Sequence, residues 1–333
     1  MPMKIRDIAR EAGVSTATVS RVLNQPECVS PETREKVLQV IQRANYVPNP
    51  LAKALSTGQT NLVAMVLPTL TNAVFAQMAE GCQQYLSRHQ LNLVVLMGQR
   101  LNQSELDVLK SIDQRQVKGF IVSGSAFIEK AYGPILDQLK VPAVVIENLP
   151  EKGRFSSVYA NDIQGFRDVT ARFVDRGHRD IGVITGEVDF LDTHRRLQAI
   201  RDYLEDHYRH DVRLSVESAR YASIDSGREA LSRLLQRPKP PTAVVCLNDL
   251  LALGALRGAR DADIAVPNSL EIVGYDDIPM ASFYSPSLST VRSPNVELGR
   301  EAARLLLRQI DNPQDPPEDV LLPVELVIRE SSL

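Results

Sequence analysis

The stretch VSTATVSRVLN, residues 14–24, predicts a short helix with a polar outer side. Ser15 stands where an N-cap residue is preferred, and Val14 and Val19 have the spacing of a hydrophobic staple across the helix start. The apolar side consists of Val19, Val22 and Leu23. The polar side consists of Thr16, Ala17, Ser20 and Arg21. Because buried hydroxyl groups need hydrogen-bond partners, we expect this side to face something other than the protein interior.

Two further helices are predicted around this stretch. Apolar residues recur at helical spacing from Ile5 to Ala12, and Gly13 stands where a C-cap glycine ends a helix. The run Ser30-Pro31-Glu32 places a cap, a proline and an acid at the positions preferred for a helix start. Two short helices joined by a tight glycine turn, with a third behind, predict a helix-turn-helix, whose second helix enters the DNA major groove. The alternative is a solvated helix in a small three-helix bundle.

Charge is distributed unevenly along the 333 residues, whose net charge is −3. Residues 1–58 hold eight basic and five acidic side chains, whereas the remainder holds 30 basic and 36 acidic ones. A basic head on an acidic body is expected when one end of a chain contacts phosphate. We therefore expect the polar side of the second helix to contact DNA.

The segment NYVPNPLAKALSTGQT, residues 45–60, predicts a short conditional helix. Pro48 blocks continuation of the third helix, and Asn49 and Pro50 can begin a new one. The part from Leu51 to Leu55 is far shorter than the ~12–15 residues at which isolated helices become marginally stable. We expect it to be helical only against a partner; an ordinary linker is the alternative.

From residue 61 the chain alternates short Val- and Ile-rich runs with amphipathic segments. This rhythm indicates parallel sheets covered on both faces by helices. The body is long for one such sheet, so we expect two α/β lobes with a cleft between them. The predicted strands are 62–68, 91–98, 119–125, 142–148, 180–186, 242–249 and 271–277, and predicted helices include 73–88, 163–176, 193–209 and 226–237.

Several protein classes are disfavoured by what the sequence contains. No apolar run reaches the ~20 residues of a membrane span, and the start is charged where a signal peptide is apolar. The three cysteines are widely spaced, which indicates neither a zinc site nor a disulfide framework. Phosphate-binding glycine loops are absent, and His207, His210 and Asp211 are explained as solvated helix-end residues. We expect a cytoplasmic, non-enzymatic protein without cofactor or metal.

Polar residues follow the predicted strands at their carboxyl ends, where ligands gather in parallel sheets. They are Thr69, Asn72, Ser123, Glu147, Asn148, Thr185, Asn248, Asp249, Tyr275 and Asp276. Amides, hydroxyls and carboxylates in a ring suit a small polyhydroxylated or nitrogen-rich ligand. The alternative, for Asn248 and Asp276 in particular, is a helix cap or an Asx turn.

The whole chain resembles the LacI/GalR family of bacterial transcription regulators. The head and hinge match over residues 5–56, IRDIAREAGVSTATVSRVLNQPECVSPETREKVLQVIQRANYVPNPLAKALS. The body matches through VLPTLTNAVFAQMAEG (66–81), RGHRDIGVITG (176–186), LNDLLALGAL (247–256) and LEIVGYDDIPMASFYSPSLSTVRSP (270–294). The resemblance implies an α/β fold: a helix-turn-helix head and hinge helix, then a two-lobed core like that of periplasmic sugar-binding proteins, with three crossovers.

The resemblance also implies how the chain is divided and what it contacts. The head is expected at 1–47, the hinge at 48–60 and the core at 61–333. The N-lobe spans about 61–160 and 293–320, and the C-lobe about 161–292 and 321–333. A homodimer would bind double-stranded DNA at a pseudo-palindromic operator, with Leu55 wedged between base pairs in the minor groove. The DNA-contacting positions are Ser15, Thr16, Ala17, Thr18, Ser20, Arg21, Asn24, Ala52, Lys53 and Leu55.

An effector pocket is implied in the same way. Its matching positions are Asn72, Val74, Phe75, Glu147, Arg196, Asn248 and Asp276. Arg196 could make paired bonds with a carboxylate or vicinal hydroxyls, and Phe75 could stack on a sugar ring or base. Three positions depart from the family pattern: Glu147 replaces Asp, Ala199-Ile200 replaces a Gly-aromatic pair, and Val74 replaces the aromatic of purine-binding relatives.

These departures leave more than one interpretation of the ligand and of the protein class. The expected effector is a sugar or sugar derivative, with a nucleoside or purine as the alternative. A solute-binding protein or an enzyme with an accessory head is the alternative from another class. The chain ends without the heptad-patterned helix that makes some relatives tetramers, so a dimer is expected.

Overall fold

A computed structural model describes residues 4–44, 46, 60–98, 116–123, 141–146, 154–186, 191–208 and 211–333 of the chain. The chain divides into a head, Met1–Thr60, and a body, Asn61–Leu333. None of the helices in the described ranges is long and apolar enough to cross a bilayer.

The described part of the head contains α1 (Ile5–Ala12), α2 (Thr16–Asn24) and α3 (Pro31–Arg43), with a 3₁₀ turn at Pro26–Cys28. Their apolar sides meet in one buried cluster formed by Ile8, Ala9, Ala12, Val19, Val22, Val37 and Val40. The apolar side predicted for α2 is therefore its packed side, with Leu23 partly buried against the cluster.

The helix ends of the head form as their residues predict. Gly13 has φ 65°, a left-handed conformation that costs glycine least, and it ends α1. The N–H of Val14 then reaches back 2.9 Å to a carbonyl in the last turn of α1. Ser15 caps α2, because its Oγ accepts a hydrogen bond of 3.1 Å from the N–H of Thr18. Ser30 caps α3 in the same way.

The body alternates strands and helices. Its described strands are β1 (Leu62–Leu67), β2 (Asn92–Met97), β3 (Phe120–Ser123), β4 (Ala143–Ile146), β5 (Ser156–Ala160), β6 (Asp180–Thr185), β7 (Arg213–Ser218), β8 (Ala243–Cys246), β9 (Glu271–Asp276), β10 (Ser289–Arg292), β11 (Asp319–Leu322) and β12 (Glu325–Val327). Its described helices are α4 (Ala73–Arg88), α5 (Asp162–Asp175), α6 (Leu191–Tyr208), α7 (Ile224–Leu235), α8 (Asp249–Asp261), α9 (Pro279–Phe283) and α10 (Asn295–Asp311), followed by a 3₁₀ turn at Glu330–Ser332.

These strands form two six-stranded sheets, one for each lobe. The first has the order β11-β5-β4-β3-β1-β2, and all of its neighbours are parallel. The second has the order β12-β10-β9-β8-β6-β7 and is parallel except for the pair β10 and β12. Strands β3, β4, β8 and β9 are buried along their whole length, which explains their continuous apolar sequences.

The chain passes between the two lobes at three described places: after β5, after β10 and after β11. The last return to the second lobe was expected at about residue 321, and the strand β11 extends one residue past that point. All four residues of β11 pair with β5, from Asp319 opposite Ser157 to Leu322 opposite Ala160. Hydrogen bonding to β5 therefore keeps the chain in the first sheet through residue 322.

Each lobe contains one pair of helices held unusually close by glycines. In the first lobe α4 packs on α10, where a Cβ at Gly81 or Gly299 would lie 1.9 Å from a backbone carbonyl oxygen of the other helix. In the second lobe α7 packs on α8, with corresponding distances of 2.2 Å at Gly227 and 2.0 Å at Gly254. No larger residue fits at these four positions without moving a helix backbone.

Candidate DNA-contacting face and effector cavity

The outer side of α2 carries the residues predicted to read DNA. Thr16, Ala17 and Arg21 are exposed, whereas Thr18 and Ser20 are half-buried. Asn24 is the last residue of this helix. An exposed side of small and hydroxyl side chains with one guanidinium can enter a groove closely and reach base edges or phosphates.

Ser15 and Thr18 are engaged within the helix start. The Ser15 Oγ accepts the Thr18 backbone N–H, and the two hydroxyl oxygens lie 2.9 Å apart in a second hydrogen bond. Their first role is therefore to hold the N-terminus of α2 in place. Ser15 is exposed and Thr18 is half-buried, and their contact with DNA stays a prediction.

Four predicted contact residues lie outside the described residues. These are Ala52, Lys53 and Leu55 of the hinge and Glu147 of the effector site. Their assignments stay predictions from the sequence.

The body contains a cavity of about 370 Å³ at the carboxyl ends of its strands, lined by residues of both lobes. All of the effector residues predicted within the described ranges line it: Asn72, Val74, Phe75, Arg196, Asn248 and Asp276. The volume falls in the range of pockets that enclose small molecules. That these residues contact an effector stays a prediction.

Two asparagines hold equivalent places in the two lobes. Asn72 caps α4, accepting the Val74 N–H at 3.1 Å, and Asn248 caps α8, accepting the Leu251 N–H at 2.9 Å. Each cap uses the side-chain oxygen, so each amide nitrogen is left as a donor on the cavity side. The helix-cap alternative is therefore true for Asn248, and it is compatible with ligand contact.

Arg196 is fixed by three contacts before any ligand arrives. Its Nε donates to Asp162 Oδ2 at 3.0 Å, and its Nη1 donates to the Leu247 carbonyl at 3.0 Å. The guanidinium also lies over the ring of Tyr275, with Cζ 4.4 Å from the ring centroid. With a side chain only 20% exposed, Arg196 acts as part of the cavity wall.

The charge of Arg196 is secured by its surroundings. Burial alone would lower the pKa of Arg196, but the nearby carboxyl groups of Asp162, Asp192 and Asp276 reverse this, and its pKa is raised. The guanidinium therefore stays protonated at every pH at which the protein is folded.

The sequence Gly274-Tyr275-Asp276-Asp277 ends β9 in an unusual backbone conformation. Asp276 has φ 117° and Asp277 has φ 56°, both in the region that non-glycine residues avoid. Asp277 is held by ion pairs from Arg292 at 2.8 Å and Arg329 at 2.7 Å. This conformation puts Asp276 in the cavity wall and Asp277 on the opposite, ion-paired side.

Asp249 supports this turn from behind. Its carboxyl oxygens accept the Ile278 N–H at 2.8 Å and the Thr290 hydroxyl at 2.6 Å. A Cβ at Gly274 would lie 2.2 Å from Asp249 Oδ1, so only glycine leaves room for the carboxyl group. Asp249 was expected at the ligand site, but it does not line the cavity because these bonds commit it to the fold. Thr185 is likewise buried away from the cavity, bonded to the Gly186 carbonyl.

Both buried aspartates have raised pKa values. For Asp276 the first cause is burial, followed by the nearby Asp249, and together they outweigh Arg196. Burial raises the pKa of Asp249 to about 7, against the lowering effect of its bonds to Thr290 and Ile278. At neutral pH this pair therefore holds protons that exposed carboxyl groups would have released.

Several cavity residues were missed from sequence. Polar ones include Asp162, Asp192, Thr193, Arg195, Ser293 and Asn295. Most of them lie on helices or crossovers and do not follow a strand directly, whereas Ser293 follows β10, a strand that was not predicted. For Asp162 and Asn295 a signal was present, because both directly follow a crossover between the lobes.

Residues 4–49 match the family model described as "Bacterial regulatory proteins, lacI family", and residues 170–332 match the "Periplasmic binding protein-like domain". The "Ribose operon repressor" of Haemophilus influenzae is 32% identical to this chain over 332 residues, covering 98% of each. The chain belongs to the lacI family. As a lacI-family protein it is a DNA-binding transcriptional regulator.

Solved structures of other regulators share this lacI-family fold. The lac repressor dimer bound to operator and the anti-inducer ONPF is 28% identical, with a TM-score of 0.88 and 100% of both chains covered. A transcriptional regulator in complex with cellobiose, CelR, is 30% identical, with a TM-score of 0.73 and 99% of both chains covered. The predicted family, fold and regulatory class are thus confirmed.

Proposed function

We propose that this chain is a repressor that binds a pseudo-palindromic operator as a homodimer and is controlled by a small metabolite. The exposed side of α2 carries the proposal, because Thr16, Ala17 and Arg21 are presented on a helix whose start and packing are fixed. The lac repressor, which shares the fold, was solved as a dimer on its operator. The regulator needs no catalytic activity, and we place its action in the cytoplasm, with the DNA.

We assign one role to each segment in order along the chain. We assign DNA reading to residues 1–47, a coupling hinge to 48–60, and effector binding and dimerisation to 61–333. DNA contacts are assigned to Ser15, Thr16, Ala17, Thr18, Ser20, Arg21, Asn24, Ala52, Lys53 and Leu55. Effector contacts are assigned to Asn72, Val74, Phe75, Glu147, Arg196, Asn248 and Asp276.

A sugar or sugar derivative is the favoured effector class. The cavity combines amide donors and carboxyl groups with the apolar surface of Val74, Phe75 and Met78. Such a mixture suits a ring with one apolar face and a rim of hydroxyl groups. Similar proteins are a ribose operon repressor and a regulator bound to cellobiose. A purine is less favoured, because Val74 stands where the purine-binding relatives have an aromatic residue.

Control follows from linkage between the two sites. A ligand that binds one arrangement of the lobes better than another changes the DNA affinity by that difference and no more. We propose that the hinge transmits this change, with Leu55 opening the minor groove in the bound state. Leu55→Ala should then bend operator DNA less and bind it more weakly.

The DNA proposal is tested by selection of genomic fragments on the full-length chain, followed by affinity measurement at several salt concentrations. Arg21→Ala should weaken binding of the selected fragment by about tenfold or more, the order expected when a base or phosphate contact is lost. Arg10→Ala is the matched control, since Arg10 is an exposed arginine on α1 paired with Asp7. Equal effects of the two substitutions, or no preference for any fragment over random DNA, would overturn the proposal.

A further inference from the structure

Asn295 stands where the chain returns from the second lobe to the first. It is the first residue of α10, three residues beyond Arg292, the last residue of β10. It is only 3% exposed and lines the cavity. Its Nδ2 donates to Gln77 Oε1 at 3.0 Å, which joins the start of α10 to α4.

The other end of the Asn295 amide is unsatisfied. Its Oδ1 is buried and accepts no hydrogen bond from the described part of the chain. The buried hydroxyl of Tyr275, in the same wall, has Ser293 as its hydrogen-bonding neighbour. Buried polar groups are almost always paired. The Asn295 oxygen is therefore a place in the cavity wall where a ligand can donate a hydrogen bond.

The charges of the cavity indicate what kind of ligand this is. Its described lining residues include three carboxyl groups, from Asp162, Asp192 and Asp276, and two guanidinium groups, from Arg195 and Arg196. Arg196 is already paired with Asp162 and bonded to a backbone carbonyl. An anionic ligand would therefore lose its hydration without gaining a net positive environment. A neutral ligand rich in hydroxyl groups can donate to the carboxyl oxygens and to the Asn295 oxygen, and can accept from the asparagine amides.

We propose that the effector is a neutral polyol, in the class of unphosphorylated sugars, and that Asn295 determines specificity by accepting a hydrogen bond from one of its hydroxyl groups. This rests on the proposed function and names the ligand class of its site. Because Asn295 begins α10, the same bond ties the ligand to the crossover between the lobes. The ligand is thereby bound by the segment of chain that joins the two lobes.

The first test measures ligand binding to the full-length chain by thermal shift and calorimetry. The probes are D-ribose, D-glucose, D-galactose and cellobiose, with D-ribose 5-phosphate, D-glucose 6-phosphate and D-galacturonate as anionic counterparts and adenine as a base. At least one neutral sugar should bind, and its anionic counterpart should bind at least tenfold more weakly. Tighter binding of an anion or of adenine, or no binding by any neutral sugar, overturns the proposal.

The second test uses Asn295→Leu and Asn295→Ala with the sugar that binds. Losing one hydrogen bond should weaken binding by about tenfold. A monodeoxy derivative lacking the contacted hydroxyl should bind variant and wild type equally. Gln309→Leu is the matched control, because Gln309 is a half-buried amide of α10 bonded to Ser156 away from the cavity.

A purely structural role for Asn295 predicts a different result. The variants would melt at lower temperature but keep the wild-type affinity and the wild-type preference among deoxy sugars, and that outcome overturns the proposal. Selection of genomic DNA fragments tests the proposed regulatory function independently of the proposed ligand class. Selective DNA binding without any neutral-sugar binding refutes the ligand class alone, whereas loss of DNA selectivity refutes the regulator itself.

Discussion

At the scale of single residues, the body places two carboxyl groups, Asp249 and Asp276, close together and out of water. Asp249 is wholly buried, and Asp276 is 8% exposed. The backbone N–H of Asp249 donates to the Asp276 carboxyl group, so a hydrogen bond also joins the two residues. Ionising both at once is unfavourable, and the pair titrates as a unit.

Asp249→Asn should change how stability depends on pH. A carboxyl group whose pKa is raised by folding binds its proton more tightly in the folded state, so its ionisation opposes folding. In the wild type this group therefore removes stability as the pH rises from about 4, its unfolded range, to about 7. Asparagine keeps both bonds, because its oxygen can accept from Ile278 and its nitrogen can donate to Thr290.

The measurement is urea unfolding of both proteins between pH 5 and pH 8. The stability of Asp249→Asn relative to the wild type should increase with pH across this range. Asp225→Asn is the control, an exposed carboxyl in the first turn of α7. A difference between Asp249→Asn and the wild type that stays constant with pH would contradict the assigned pKa direction.

Residue patterns predicted the cavity wall better than they predicted its chemistry. The places of Asn72 and Asn248 at the cavity were predicted, because both follow strands. The helix cap was weighed for Asn248 but not for Asn72. The state of Arg196 was not visible, because its partner Asp162 is distant in sequence and meets it only after the second lobe has folded. The unpaired oxygen of Asn295 was also not predicted, because the sequence does not show whether a single polar residue is buried.

At the scale of elements, the glycines inside α4, α7, α8 and α10 decide how the helices pack. Glycine in a helix interior costs roughly 0.5–1 kcal/mol relative to alanine. In these helices this loss of stability is offset by helix packing, because the backbone of one helix lies directly against the backbone of the other. The spacing of apolar residues predicted α4 and α7 but not this closeness, which depends on two segments at once.

Gly254→Ala should destabilise the second lobe. The added methyl group would lie 2.0 Å from the Ile224 carbonyl oxygen, and overpacking of this kind costs typically about 1–3 kcal/mol. The free energy of unfolding in urea measures the effect. Gly258→Ala is the control in the same helix, with its nearest contact at 3.2 Å, and should stay within about 1 kcal/mol of wild type. Equal losses of stability in the two variants would show that the close approach of α7 and α8 does not limit the size of the residue at Gly254.

The strands that were missed are either rich in polar residues, as in β5, β7 and β10, or only three to four residues long, as in β11 and β12. The predicted runs correspond to β1–β4, β6, β8 and β9, whereas β5, β7 and β10–β12 were not predicted. In β10, Ser289 is buried because its N–H donates to Ser331 Oγ at 2.8 Å and its hydroxyl donates to the Arg329 carbonyl at 3.0 Å. These partners lie some 40 residues onward, so no local pattern reveals that Ser289 belongs to a sheet.

At the scale of the whole molecule, the cavity is bounded by both lobes and lies close to two of the three crossovers. Asp162 follows the first crossover and Asn295 follows the second, and both line the cavity. A ligand that contacts both positions contacts the chain segments that connect the lobes. We propose this as the route by which occupancy of the cavity alters the rest of the regulator.

Effector and DNA should show equal coupling. If the sugar identified by thermal shift changes the dissociation constant of the selected DNA fragment by some factor, that fragment must change the dissociation constant of the sugar by the same factor. Calorimetry of each ligand with and without the other measures both factors. Arg196→Met should remove the coupling while leaving DNA binding without sugar intact. Coupling that persists in Arg196→Met would place the effector outside this cavity.

The glycine contact between α4 and α10 has a consequence for how the protein is made. Gly81 leaves the ribosome early and Gly299 near the end of translation, about 10–40 s later at about 5–20 residues per second. The second lobe, in contrast, is almost continuous in the chain. We therefore expect it to fold first on the ribosome, while the nascent first lobe waits with the groove on α4 uncovered. Premature termination before α10 should leave a half-built regulator for chaperones and proteases to remove.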